Sequence, residues 1–177
     1  MNADKFVERL KVCAPEQSEL ELQGLSALEA QAFRASFVCK KKPEPTGSDN
    51  PLLDFVGRYD CSDVLIGVVS FDNEPSDKGD HWRVGKDEAD ALVIDKITKR
   101  IQVKDHANPE HLIYYCAEDG NKFLDAMLVA ACFLGRCSVD ENLYNNRDEG
   151  FERAKECANA AGGEQYLKFY FTMMGCE

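Results

Sequence analysis

Along this chain the spacing of apolar residues changes period twice: helical through residue 37, strand-like from residue 64 to 116, and helical again from residue 121 onward. Helical and strand periods put side chains on one face by different rules, so each stretch can bury its apolar set in only one kind of element. A contiguous block of strands between two blocks of helices is the pattern of an α+β fold, not of alternating βαβ units. At 177 residues the chain is the size of one domain with a core of its own.

Residues 6–14 put Phe6, Val7, Leu10 and Cys13 on one helical face, and Pro15 ends that helix. Residues 25–37, rich in alanine, leucine and glutamate, read as a second helix. Residues 40–51 open with three lysines and continue through Pro43, Pro45, Gly47 and Pro51, the composition of an exposed loop. The run VLIGVVSF, residues 64–71, has the β-branched, apolar character of a central strand buried on both faces. Residues 72–85 are polar around Pro75 and Gly79 and are expected as a loop that returns into a strand at 81–84. Residues 92–95 and 100–104 form a hairpin about a turn at 96–99, and HLIYYC at 111–116 supplies another strand. Helices are expected at 121–134, at 151–161 ahead of Gly162-Gly163, and at 164–174. The whole is a single domain over 1–177 with a central, mainly antiparallel sheet flanked by N- and C-terminal helices. Its parts are a helical segment at 1–50 that includes the 40–51 loop, a sheet and helix core at 64–134, and C-terminal helices at 150–175.

The formal charge is −11, and residues 1–50 carry seven basic and eight acidic side chains, so ten of the eleven net negatives lie beyond residue 50. Such a field repels phosphate backbones and anionic membranes, serves solubility, and steers basic partners. No segment reaches the ~18 apolar residues of a membrane span, and the start of the chain lacks a signal-peptide pattern, so a cytoplasmic location is expected. The eight cysteines lie in apolar contexts without any C-x-x-C spacing and are read as reduced core thiols.

Constellations that carry chemistry are missing from the spacing. His106 and His111 flank Pro109 and do not share a helix face, so no metal site is expected of them. Cys116 and Ser70 sit in strand contexts without a nucleophile elbow, and no phosphate-cradling glycine loop is visible. Carboxylates are too numerous for any pair to be singled out as acid and base. Neither catalytic residues, nor a cofactor, nor a metal is therefore assigned, and the chain reads as a binding protein. What stands out is 72–90, with seven acidic and three basic residues around His81 and Trp82. Asp72, Glu74, Asp77, Asp80, Trp82 and Asp87 are the candidate partner contacts, with the acids steering the encounter and Trp82 anchoring it. The competing reading has Trp82 packed into the sheet and the acids merely solvated.

Residues 64–133 resemble the SUKH superfamily, shared by cell-wall-synthesis regulators and bacterial toxin-immunity proteins. The resemblance is carried by VLIGVVSFDNE, by ALVIDKITKRIQVKDHANPEHLIYYCAEDGNKFLDAMLVA and by the tail ECANAAGGEQYLKFYFTMMG. The family pattern runs through a strand ending in aspartate (here Asp95), a threonine-containing turn (Thr98), a return strand and a Phe-Leu-x-x-Leu helix (Phe123 to Leu128). Lys99 stands where the family often has a turn glycine, and the N-terminal Leu-Pro and Asn-Gly-Gly signatures are not evident. The resemblance implies a cytoplasmic immunity protein that binds a basic toxin domain, such as a nuclease, without touching nucleic acid itself. A regulatory interaction protein of the same fold, and a hydrolase using scattered carboxylates, remain as alternatives.

Overall fold

The computed structural model describes residues 1–175; Cys176 lies outside the described residues. It is an α+β fold in the order α1 (Ala3–Leu10), α2 (Gln17–Leu22), α3 (Ala27–Ala35), β1 (Lys40–Lys41), α4 (Pro51–Arg58), β2 (Tyr59–Asp60), β3 (Leu65–Ile66), β4 (Val69–Asp77), β5 (His81–Asp87), β6 (Asp90–Asp95), β7 (Ile101–Lys104), β8 (Leu112–Ala117), α5 (Gly120–Cys137), α6 (Glu141–Tyr144), α7 (Arg147–Ala161) and α8 (Leu167–Met173). Strands β3 to β8 form one six-stranded sheet in which every neighbour is consecutive and antiparallel, a meander built from short turns. Strands β1 and β2 make a separate two-stranded ribbon.

The helices start where the sequence supplies acceptors for their free N–H groups. Asn2, Ser26, Asn50, Asp119 and Asn146 each accept from backbone N–H groups of the helix they precede. Helix α5 is the central rod: Phe123, Leu124, Met127 and Leu128 are buried, and it packs against α1, α4 and α7. One sheet face supplies Val69, Phe71, Val84, Leu92, Ile94, Ile101 and Val103 to the same core. Phe55 of α4 joins the layers, meeting Phe6 and Phe71 edge to face with ring centroids 5.0 Å away in each case. Among the described residues no helix is long and apolar enough to cross a membrane.

Three local expectations are corrected. The run at 64–71 is not one central strand but a tight edge hairpin, β3 turning into β4 through Gly67 at φ +60. A Cβ at Gly67 would lie 2.9 Å from Met173 Cγ, so both the backbone angle and the packing require glycine. The expected 72–85 loop is largely sheet, because β4 runs on to Asp77 past an irregularity between Phe71 and Ser76 and β5 returns from His81. Within 40–51 the chain forms β1 and then, from Pro51, enters α4.

The cysteines divide. Cys39, Cys61, Cys116, Cys137 and Cys157 are free and buried, as expected. Cys13, by contrast, is joined to Cys132 in a disulfide that ties the turn after α1 to α5. Sequence spacing gave no hint of it because the partners are 119 residues apart. They meet because α5 passes close to the N-terminal layer: a Cβ at Gly135 would stand 2.4 Å from the Cys13 carbonyl oxygen.

Candidate functional site

The six residues singled out in the sequence fall at different places along the β4–β5 hairpin. Asp77 and Asp80 flank its tip, with Trp82 just inside. The Asp77 carboxylate accepts from Gly79 N at 2.8 Å and from Lys96 Nζ at 2.5 Å. Asp80 lies 2.6 Å from His81 Nδ1 and 3.4 Å from Lys104 Nζ. These partners, Lys96 for Asp77 and His81 for Asp80, hold both carboxyls below the usual aspartate range. Asp72 pairs with Arg83 at 3.2 Å. Three of the five acids proposed as contacts are thus matched to cations of the chain itself.

Trp82 is half-buried. It sits opposite Ile94 on the core-facing side of β5 and carries Lys96 Nζ 4.6 Å from its ring centroid. Two grooves, of about 520 and 430 Å³, lie against the ring, and Ser48 and Leu53 line both. The segment 42–48 walls the larger groove, and Glu74 and Pro75 face it across the opening. Trp82 is therefore packed into the sheet as well as presented to a groove, which joins the two sequence readings.

Asp87 is elsewhere, five residues along β5, roughly 16 Å from Trp82 at ~3.3 Å per residue. It pairs with Asp90 across a two-residue turn, and the register, which ends at Ala91 opposite Lys104, places Asp90 beside Asp105, the first residue after β7. Asp87 on β5, Asp90 on β6 and Asp105 just past the end of β7 thus form a row along one end of the sheet, and Glu88 stands in the turn with φ +53. Among the described residues no lysine or arginine forms an ion pair with any of these four; the basic side chain present is His106, whose Nδ1 is 2.9 Å from Asp90 Oδ1. Burial, then the negative charges of Glu88 and Asp90, push the Asp87 carboxyl up to about 6. The hydrogen bond to Asp90 raises His106, and the backbone and side-chain donors of His106 lower Asp90.

No family model, curated protein or solved structure matches the chain. Function therefore has to be argued from the geometry of these two ends of β5.

The donor atoms of Asp90, Asp105 and His106 lie within 4.8 Å of one another, a spacing that could hold a metal ion. Each carboxylate also has protein donors. Asp90 Oδ1 accepts from His106 N at 3.0 Å, and Asp105 Oδ1 accepts from Ala107 N and Asn108 N, closing the turn that follows β7. Sequence reasoning paired His106 with His111 and so missed this set. The cross-strand register, not the spacing along the chain, brings Asp90, Asp105 and His106 together. His111 meets Asp105 through the backbone, accepting from Asp105 N at 3.1 Å.

The hairpin of the resemblance has a clear physical basis. Asp95 accepts from Ile97 N, Thr98 N and Thr98 Oγ1, and these bonds keep its carboxyl low. Lys99 takes φ +62, the angle at which a glycine is free of strain.

Proposed function

We propose that the chain is a protein-binding module that acts by stoichiometric contact with a basic partner, through the carboxylate row of Asp87, Glu88, Asp90 and Asp105. The observation that carries this reading is that, among the described residues, no lysine or arginine pairs with that row, against the paired acids of the hairpin tip. Like charges set opposite one another across strands destabilise a sheet. A turn glutamate at positive φ adds a further cost. Such costs are sustained where a partner supplies the missing cations, and a molecule of net charge −11 strengthens the same attraction over distance.

The resemblance to SUKH proteins gives the partner a class, a toxin catalytic domain such as a nuclease, and gives the chain the role of a cytoplasmic immunity protein. The Asp95–Thr98 turn and the positive φ of Lys99, where that pattern carries glycine, support this finer reading. A nuclease must present positive charge to its phosphate substrate, and an acidic inhibitor exploits that charge. The experiment is capture from the native host lysate with the wild-type chain and with the variant Asp87→Asn, Glu88→Gln, Asp90→Asn, Asp105→Asn, at low and high salt. A basic protein held in equal amount by the wild type, released by salt and lost by the variant, is the expected result. Equal capture by both chains would overturn the assignment of the surface.

A further inference from the structure

The β1–β2 ribbon carries a second cysteine pair. Its register sets Lys40 opposite Asp60 and Lys41 opposite Tyr59, and Lys42 N donates to Arg58 O at 2.9 Å. Continued by one residue, that register sets Cys39 opposite Cys61. Because residues 42 and 58 are a hydrogen-bonded pair, the alternation of an antiparallel ladder makes 39 and 61 a non-hydrogen-bonded pair. There the Cα atoms stand about 4.5 Å apart and the side chains are closest. That separation lies within the range a disulfide spans. Both side chains point into the core, at 5% and 0% exposure, and both thiols are free. The Cys61 Sγ donates to the Tyr59 carbonyl at 3.4 Å, which holds it inside the ribbon on the side of Cys39.

The pair closes the base of the segment that borders the Trp82 grooves. Between the two cysteines run the 42–48 stretch that walls the larger Trp82 groove and the helix α4, whose Leu53 lines both grooves. We propose that Cys39 and Cys61 form a reversible disulfide, by exchange with a low-molecular-weight disulfide such as oxidised glutathione, that locks the wall of the Trp82 groove. Cys39, the less enclosed of the two, attacks as thiolate after losing its proton to solvent. It forms a mixed disulfide and releases one molecule of reduced glutathione. The Cys61 thiolate then displaces the second, so two protein thiols are oxidised and one glutathione disulfide is reduced to two thiols. The neighbouring Cys39 thiol, and then burial, push the Cys61 thiol up. Exchange consequently proceeds through opening of the ribbon, which is only two residues long on each side and exposes both Lys40 and Lys41.

The test uses the full chain, equilibrated in glutathione buffers from reducing to oxidising and approached from both directions. Samples are quenched in acid, unfolded, alkylated and analysed by peptide mass spectrometry. The expected result is a linked Cys39–Cys61 peptide that grows with oxidation, at the loss of two alkyl labels, and disappears on reduction. It should form equally in a Cys13→Ser, Cys132→Ser variant. Trp82 is the sole tryptophan, so acrylamide quenching of its fluorescence reads the groove in the same samples. Quenching should fall as the linked peptide rises, and in Cys39→Ser it should not respond to the redox buffer. Full labelling of Cys39 and Cys61 across the range, from either direction, overturns the proposal. So does a linked peptide without a change in Trp82 quenching.

Discussion

Asp87 carries the chain's most informative single titration. Its carboxyl is pushed up to about 6 by burial and by Glu88 and Asp90, against the ordinary aspartate value of 3.8 that serves for the unfolded chain. An acid whose folded pKa is raised binds its proton more tightly in the folded state. The contribution of Asp87 is therefore most favourable below pH 4 and falls as pH rises from about 4 to about 6, where its penalty becomes constant. Asp87→Asn removes the charge and keeps the shape, so its melting temperature should exceed that of the wild type above pH 6 and match it near pH 4. The gain is on the order of 1 kcal/mol once the exposed part of the group is allowed solvent screening. A variant that is no more stable at pH 7.5 than at pH 4, relative to wild type, would contradict the buried and crowded setting given to Asp87.

Two turns hold non-glycine residues in the left-handed region, Glu88 at φ +53 and Lys99 at φ +62. Replacement by glycine at either should stabilise by up to about 1 kcal/mol, less the extra freedom glycine gains in the unfolded chain. The two should part in function: Glu88→Gly should weaken partner binding while raising stability, and Lys99→Gly should leave binding unchanged. Thermal melts beside binding titrations separate the cases. At this scale the sequence was legible where periodicity and turn chemistry agreed, as in β6, the Asp95–Thr98 turn, β7 and α5. It misled at 64–71, because an eight-residue apolar run has the same composition as a central strand or as a hairpin, and only the glycine inside it marks the turn. Helix α4 escaped notice although its signal was present, an Asn50 cap with Pro51 at the first helical position. Glu88 and Asp90 fell inside the acidic stretch at 72–90, but the row could not be read as one, since Asp105 follows β7 and only the β6–β7 register makes it a neighbour of Asp90.

For the whole molecule, the Cys13–Cys132 bond encloses most of the chain, joining the N-terminal layer to α5. In the chain-entropy account, a crosslink over so long a loop stabilises by about 5 kcal/mol. Reduction, or the Cys13→Ser, Cys132→Ser variant, should therefore lower the urea midpoint without changing the far-ultraviolet circular dichroism. An unchanged midpoint would mean that the bond constrains nothing in the unfolded chain. The proposed immunity role, which would place the protein in the cytoplasm, further predicts that this bond is open in the cell, because cytosolic thiol buffers keep such cysteines reduced.

The distribution of charge sets the molecule's central property, an acidic body whose hairpin tip is paired with lysines and whose β5–β6 end, among the described residues, meets no lysine or arginine. The direct measurement is the association rate with the captured partner as a function of ionic strength. It is made for the wild type, for the variant neutralised at residues 87, 88, 90 and 105, and for a control with Asp77→Asn and Asp80→Asn. Wild type and control should associate fastest at low salt and slow together as salt rises. The neutralised row should lose about tenfold in rate at low salt and show a flatter dependence. If instead the control loses the rate and the neutralised row keeps it, the basic partner approaches the hairpin tip, and the unpaired row has no part in recognition.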